Sequence, residues 1–249
     1  MNKAIEEFKK YTSAYIEYGT MITLKINHTL RVVELCEKIA KSLNMSDEEI
    51  YIAKIIGLLH DIGRFEQWKV YGTFKDIDST DHADLGVKIL KKDNYLRKYI
   101  EDDKYDKLIL DSIMYHNKFF IPNNLDEKTN IFSKLIRDAD KIDILYLYID
   151  REIDLELDEK CFSKEVYEAL LNKKDIDRKN IKNKTDRFSV SLGFIFDINY
   201  KYSFKYLKEN KYFDTIIDIY KNKLNSEEFN KQLEEIRKVI NNYIEVNLC

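Results

Sequence analysis

The dipeptide His60-Asp61 is the stretch best suited to do chemistry, because it places two metal-binding side chains directly after an apolar run. The chain has four histidines, each in a segment that reads as helical: His28, His60, His82 and His116. Asp140 adds a carboxylate on another apolar helix. Burying His60 and Asp61 is costly unless a cation compensates. The pattern predicts a metal site assembled from five helices. The alternatives are a hydrogen-bonded His60-Asp61 pair that stabilises a helix end and, for His28, an ordinary core histidine.

Composition predicts an all-α protein that is long enough to bury a core. Of the 249 residues, 44% are hydrophobic and 35% are charged, and the chain has six glycines and one proline. Turn-rich β architectures need more of both residues, so long helices are favoured. No repeat or linker is evident. We expect one helical domain over residues 1–249, with a metal-site core at about 24–149 and a helical extension at about 150–249.

Charge and cysteine usage narrow the partners and the compartment. A net charge of -3 gives no electrostatic case for binding nucleic acid or a membrane surface. Residues 1–10 lack the apolar core of a signal peptide, and no apolar run approaches the ~20 residues that cross a bilayer. Cys36, Cys161 and Cys249 are far apart, which favours reduced thiols in the cytoplasm, with Cys36 as a small core residue.

Apolar periodicity and capping residues predict the helices that position the chemistry. Ser46 and Glu49 form a capping box that opens the helix ending at His60, and Gly63 is expected to break that helix. Phe65 to Ser79 reads as a loop, and its aromatic residues could contact a base or sugar, or anchor the loop to the core. The other helices are expected at 3–18, 24–43, 82–91, 103–117, 129–149, 189–207 and 226–246.

Three finer placements follow from the same patterns. Asp140 follows Phe132 and Ile136 at i+4 steps and should face partly inwards, whereas Asp138 should be solvated. Residues 172–187 are rich in lysine and arginine and read as a solvated loop, with a lid over a phosphate site as the alternative.

The ordered set of four histidines with Asp61 and Asp140 resembles the HD-domain metallohydrolase superfamily over residues 24–149. His60-Asp61 is followed by Ile-Gly-Arg, close to the family's usual Ile-Gly-Lys, and the stretch from Ala139 to Asp143 looks like its final motif. The resemblance implies an HD-type helical bundle in which His28, His60, Asp61 and Asp140 hold one metal. It implies that His82 and His116 hold a second ion, which Asp61 bridges. Imidazoles and carboxylates suit Fe, Mn, Co, Ni, Zn or Mg, and the sequence does not select among them.

The chemistry implied is hydrolysis of a nucleotide or similar small phosphate ester by a metal-activated water. Asp61 is the central catalytic candidate, and Arg64 and Lys141 are candidates for phosphate contacts. A surface role is the alternative for Arg64. Arg64 and Phe65 stand where hydrolases of guanosine penta- and tetraphosphate carry Glu-Asp, and the Gly-Tyr-Pro of cyclic-di-GMP phosphodiesterases is missing, so neither class is favoured. Two other functions stay open: a di-iron oxygenase with the same ligand pattern, and a non-catalytic module that keeps its metal for structure.

Overall fold

The structure, a computed structural model, describes residues 1–174, 176–221 and 223–249. It confirms the all-α prediction, since none of the described residues lies in a β-strand. The chain divides into two compact units, residues 1–140 and 141–249. The boundary falls inside a helix rather than at about residue 150, and the single domain over 1–249 stays a prediction. No described helix combines the length and apolar character needed to cross a bilayer.

The first unit is built from helices that bring the predicted site residues to their ends or inner faces. Among its described residues the helices are α1 (Asn2–Ser13), α2 (Thr20–Ser42), α3 (Asp47–Leu59), α4 (Ile62–Tyr71), α5 (His82–Lys91), α6 (Asp106–Tyr115) and α7 (Glu127–Ile149). α7 continues across the unit boundary. α2 packs along α3, α4 packs against α5, and α6 contacts both α3 and α5.

α3 is the central helix of this unit, as its apolar character predicts. Its last two turns are buried from Ile55 to Leu59. The predicted capping box begins the helix: the Glu49 backbone N–H donates to Ser46 Oγ over 3.3 Å, and the Ser46 N–H donates to Glu49 Oε2 over 3.0 Å. These two bonds satisfy donors that a helix N-terminus otherwise leaves unpaired.

The loop predicted at Phe65–Ser79 is wrong over its first half, because α4 occupies Ile62–Tyr71. Gly63 does not break a helix but lies inside α4. A Cβ at this position would lie 2.2 Å from the carbonyl oxygen of His82, so glycine is needed for the close approach of α4 and α5. α4 ends instead at Gly72, which has a left-handed conformation with φ +66°.

The prediction that Asp138 is solvated is also wrong. Asp138 is fully buried, and its neighbours Arg137 and Ala139 are buried as well. Successive helical residues point about 100° apart, so three buried in a row mean that this turn of α7 is enclosed on several sides. Apolar periodicity identifies one buried face of a helix, so it cannot predict a turn that is buried on several sides.

The second unit consists of shorter helices around one long one. Among its described residues they are α8 (Lys164–Leu171), α9 (Lys184–Gly193), α10 (Lys201–Glu209), α11 (Tyr212–Lys221) and α12 (Glu227–Leu248). α12 packs against α8, α10 and α11. Ser226 caps this helix by accepting a hydrogen bond from the Phe229 N–H over 3.2 Å.

Two predictions for this unit differ in detail from what is observed. The single buried helix expected at 189–207 is wrong, since a 3-10 turn and an extended stretch at 198–200 separate α9 from α10. Asn199 explains the break, because its side chain donates to the Asp197 carbonyl over 2.8 Å and competes with helical bonding. The basic stretch 172–187 is not a solvated loop throughout, because α9 begins at Lys184 and Thr185 and Asp186 are fully buried. Lys182 pairs with Glu165 over 3.0 Å, and Asp175 lies outside the described residues.

Candidate metal centre

The first unit brings the six predicted metal ligands together from the ends and inner faces of its helices. The contributing residues are His28 from α2, His60 after α3, Asp61 before α4, His82 at the start of α5, His116 after α6 and Asp140 from α7. The four histidines and Asp61 are each at most 3% exposed. The predicted assembly of a polar cluster from distant helices is therefore what the structure shows.

The break between α3 and α4 gives His60 and Asp61 a common target. His60 keeps helical backbone angles, whereas Asp61 leaves the helix with φ -104° and ψ 15°, and α4 starts at Ile62. On an unbroken helix two consecutive side chains would diverge by about 100°. Here His60 Nε2 lies 3.6 Å from Asp61 Oδ2.

One oxygen of Asp61 faces a first group of ligand atoms. His28 Nε2 lies 3.6 Å from Asp61 Oδ2 and 3.2 Å from Asp140 Oδ1. His60 Nε2 is 3.6 Å from each of these two oxygens, which is too long for a hydrogen bond. His28, His60 and Asp140 each offer one atom within 4.8 Å of the others, a spacing that could hold a metal ion.

The other oxygen of Asp61 faces a second group. His82 Nε2 lies 3.3 Å and His116 Nε2 3.8 Å from Asp61 Oδ1. The two Nε2 atoms are 3.0 Å apart. Asp61 is thus the one member of the set of six whose two oxygens point to different groups of imidazoles.

Hydrogen bonds at the far side of three rings fix which nitrogen faces the centre. The Nδ1 atoms of His60 and His116 lie 2.8 and 2.6 Å from the carbonyl oxygens of Gly57 and Ile113, so each donates its proton there. His82 Nδ1 lies 2.7 Å from Asp76 Oδ2. A ring that donates from Nδ1 presents the Nε2 lone pair on its other side, which is the metal-binding tautomer.

The protonation of these rings supports the same orientation. Burial lowers the pKa of His116 to about 3, and the repulsion that protonated His82 and His60 would exert on a protonated His116 contributes to this shift. Burial and the adjacent Arg64 also lower the pKa of His82. Two neutral rings with their Nε2 lone pairs 3.0 Å apart repel each other unless a cation lies between or beside them. His60 differs: burial alone would lower its pKa, but the carboxylates of Asp61 and Asp140 raise it.

The two carboxylates are held ionised by their surroundings. Burial alone would raise the pKa of Asp61, but Lys25 and His60 hold it well below its usual range. Burial opposes ionisation of Asp140 too, but the neighbouring imidazoles of His28 and His60 hold its pKa well below its usual range. Ionised carboxylates and neutral imidazoles are the states that bind a divalent cation.

The donor set therefore fits a divalent metal. His60 Nε2 is buried and has no hydrogen-bond partner among the described residues, which is costly unless another ligand takes its lone pair. Nitrogen and carboxylate donors suit first-row transition metals, with magnesium favoured less. His28, His60, Asp61 and Asp140 would hold one ion, and Asp61, His82 and His116 a second.

Asp76 lies directly behind His82, and the sequence patterns do not single it out. Both of its oxygens lie near His82 Nδ1, at 3.0 and 2.7 Å. Gln67 is fully buried and donates to Asp76 Oδ1 over 2.9 Å. A carboxylate behind a ligating histidine fixes the ring and raises its basicity. The sequence shows an acidic cluster at 76–78, but no spacing rule connects it to His82.

Arg137 holds the end of α6, and with it His116. Its Nη1 donates to the backbone carbonyl oxygens of Tyr115, His116 and Lys118 over 3.1, 3.3 and 2.5 Å. These carbonyls lie at a helix C-terminus, where the helix leaves them without partners. In the sequence, Arg137 is distinguished only by its position next to Asp138 and close to Asp140.

Lys25 is the other residue that sequence reasoning missed. It precedes His28 by three positions on α2, so the two side chains share a face. Its Nζ lies 2.7 Å from Asp61 Oδ2. Its position three residues before His28, a predicted ligand, is the feature of the sequence that could have identified it.

The two basic catalytic candidates are placed differently. Arg64 reaches the centre, with Nε 3.5 Å from Asp61 Oδ1, and Nη1 pairs with Asp76 over 2.8 Å. Lys141 lies in the second unit and pairs with Asp197 over 2.7 Å. The catalytic roles of Arg64 and Lys141 stay predictions.

Comparison with known proteins identifies the region that carries this centre. Residues 26–145 match the family model of the HD domain. Ribonuclease Y 1 of Pediococcus pentosaceus is 36% identical over 90 residues, which is 36% of this chain and 14% of that protein. The chain thus corresponds to a small part of that relative. No solved structure matches the chain. Residues 26–145, which contain all six predicted ligands, are therefore similar to the HD domain, which supports the resemblance to the HD-domain metallohydrolase superfamily.

Proposed function

We propose that this chain is a metal-dependent phosphohydrolase that cleaves a nucleotide or a similar small phosphate ester. The arrangement around Asp61 carries the proposal. Its two oxygens face two groups of imidazoles, and the Nε2 atoms of His82 and His116 lie 3.0 Å apart. Such a pair of groups around one shared carboxylate suits a binuclear centre. The HD-domain match supports metal-dependent phosphohydrolase chemistry in general terms.

The roles of the residues follow from their positions. A bound divalent metal supplies an activated water and neutralises charge on the phosphoryl oxygens. Asp61 links the two groups of ligand atoms, because each of its oxygens faces one of them. The hydrogen bonds at Nδ1 of His60, His82 and His116 keep their Nε2 atoms directed at the centre. Asp140 completes the first group. The burial of these side chains lowers the local dielectric, which strengthens the attraction for an anionic substrate.

A small substrate is favoured over RNA. The name of the relative describes it as a ribonuclease, and cleavage of RNA breaks a phosphodiester. This chain shares only a small part of that protein, and its net charge of -3 lacks the positive surface that RNA binding generally uses. We propose neither a nucleic-acid nor a membrane partner. A cytoplasmic location is consistent with three cysteines that form no disulfide.

Phosphate release tests the proposal. The purified protein is incubated with nucleoside mono-, di- and triphosphates, p-nitrophenyl phosphate and bis-p-nitrophenyl phosphate, with Mn, Co, Ni, Fe, Zn or Mg added in turn. We expect metal-dependent hydrolysis by the wild type and none by Asp61→Ala.

Two results would replace the proposal. Oxygen consumption with iron, together with no hydrolysis under any metal, would identify a di-iron oxygenase built on the same ligands. A protein that binds metal but turns over neither class of substrate would be a non-catalytic module.

A further inference from the structure

Two cations flank Asp61, and they differ in how fully their polar atoms are engaged. Arg64 Nη1 donates to Gln67 Oε1 over 2.8 Å, to the Phe74 carbonyl oxygen over 2.5 Å and to Asp76 Oδ1 over 2.8 Å. These three acceptors tie Nη1 of Arg64 to α4 and to the segment that follows it, whereas its Nε is buried without a hydrogen-bond partner among the described residues and lies 3.5 Å from Asp61 Oδ1.

Lys25 is far less engaged. Among the described residues its ammonium group makes one ion pair, with Asp61 Oδ2, and its side chain is 12% exposed. An ammonium has three N–H donors, so the ion pair with Asp61 leaves donors that can bind another acceptor. A largely buried cation with unused donors at the edge of a candidate metal centre is suited to bind an anion.

Phe74 covers both cations with one aromatic face. Lys25 Nζ lies 5.7 Å and Arg64 Cζ 5.8 Å from the centre of its ring. The ring is fixed by Trp68, whose ring centre lies 4.6 Å away and whose Nε1 donates to the Tyr18 carbonyl oxygen over 3.0 Å. This arrangement excludes water from one side of Lys25, which strengthens any charge interaction it makes.

We propose that Lys25 binds a non-bridging oxygen of the substrate's terminal phosphate, while Arg64 is a positioning residue that holds Phe74 and Asp76. The inference rests on the proposed hydrolase function. The ion pair with Asp61 Oδ2 occupies part of the Lys25 ammonium, and the donors that remain can bind a phosphate oxygen.

The same arrangement selects a substrate class. A terminal phosphate has three non-bridging oxygens, so one can face each imidazole group and the third can face Lys25. A phosphodiester has two and leaves none for Lys25. The chain is therefore a phosphatase for terminal phosphates, with Lys25 as the residue that discriminates against diesters.

Inorganic phosphate is the probe for this site. Its affinity for the manganese-loaded protein is measured by calorimetry for the wild type, Lys25→Met, Lys25→Arg and Arg64→Met. Lys41→Met is the matched control, because Lys41 lies on the same helix and pairs with exposed Glu37. Manganese content is measured for each variant.

Lys25→Met should weaken phosphate binding by about 10- to 100-fold, the range for losing a hydrogen bond to a charged group. Lys25→Arg should restore part of the affinity, and Lys41→Met should leave it unchanged. Manganese content should be equal in all of these variants. With p-nitrophenyl phosphate, Lys25→Met should raise KM more than it lowers kcat, and the preference over the diester should shrink.

Three outcomes would overturn the inference. One is phosphate affinity that falls only as far as manganese content falls, which would make Lys25 a counter-ion of Asp61. Another is loss of phosphate binding in Arg64→Met but not in Lys25→Met. The third is a wild type that binds no phosphate. Phosphate binding that depends on Lys25 in a protein that hydrolyses nothing would instead retain the anion site and reject the hydrolase function.

Discussion

Two buried aspartates, one in each unit, show two ways in which a helical protein accommodates a carboxylate. Asp186 in the second unit is fully buried. It accepts hydrogen bonds from the backbone N–H groups of Ser163 and Lys182 over 2.8 and 3.0 Å, and from the Ser163 hydroxyl over 2.9 Å. Asp61 in the first unit is instead surrounded by side-chain nitrogens from several helices: His28, His60, His82, His116 and Lys25.

Asp61, the proposed metal ligand, and Asp186 differ in the groups that surround their carboxylates. Backbone N–H groups are obligatory donors, so Asp186 satisfies the chain's own hydrogen-bonding needs and stabilises the fold. Imidazole nitrogens that carry lone pairs cannot donate a hydrogen bond to a carboxylate oxygen. Their convergence on Asp61 is explained by a cation that both kinds of group bind.

The largest effect is expected from Asp61→Ala. The residue faces both imidazole groups, and loss of a residue that merely supports a ligand typically costs 10- to 100-fold in metal affinity or activity. Its own loss should therefore lower activity by more than about 100-fold and remove bound metal. Metal content and initial rates are the measurements. Full activity in this variant would refute the site.

Asp186→Ala should produce the opposite pattern. It leaves two backbone donors and one hydroxyl unsatisfied in a buried place, which should lower the free energy of unfolding by about 2–4 kcal/mol. Urea denaturation measures the loss. Metal bound per folded molecule should stay at the wild-type level, and a variant that loses metal but keeps its stability would reverse the comparison with Asp61.

Asp76→Asn should have an intermediate effect, because it changes the group behind His82 rather than a ligand. Metal affinity should fall by about 10- to 100-fold, with little loss of stability. Asp78→Asn is the matched control, since Asp78 lies on the same segment and is 56% exposed. Equal metal affinities of the two variants, measured by competition with a chelating dye, would show that Asp76 does not orient His82.

The smallest effect is expected at the two serine-capped helices. Ser46 is assisted by Glu49, whereas Ser226 caps α12 with Phe229 at the corresponding position. Hydrogen bonding to Lys128 and to Ser46 lowers the pKa of Glu49 to about 2. A lowered pKa means that the stabilisation is present above the ordinary value near 4 and is lost as pH falls towards 2.

Glu49→Gln should therefore cost about 1 kcal/mol or less at pH 7, and its difference from wild type should vanish near pH 2. Thermal unfolding at a series of pH values measures this. A difference that is constant with pH would mean that the charge of Glu49 contributes nothing.

The sequence predicted those parts of the fold that depend on local patterns. α5 was expected at 82–91 and lies at His82–Lys91, and the capping box at Ser46 is formed. The four histidines could be gathered into one site because each lies on a helix with a clear apolar face. The resemblance to the HD-domain superfamily implied their partnership with Asp61 and Asp140, because apolar periodicity alone does not say which helices meet.

Other features could not be predicted because they depend on packing between distant segments. Gly63 reads as a helix breaker until α5 is seen to approach it. Asp138 reads as exposed because periodicity assumes one buried face. Asp76 reaches the centre from a loop, and no spacing rule joins a loop carboxylate to the ring of His82. Lys25 shares α2 with His28, but its contact with Asp61 depends on how α2 packs against the segment after α3.

The most direct test of the account is anomalous X-ray scattering from crystals of the manganese-loaded protein. We expect one or two peaks about 2.0–2.3 Å from an Asp61 oxygen, with His60 Nε2 or the His82 and His116 Nε2 atoms among the other ligands. The absence of any peak near Asp61 would contradict the metal centre.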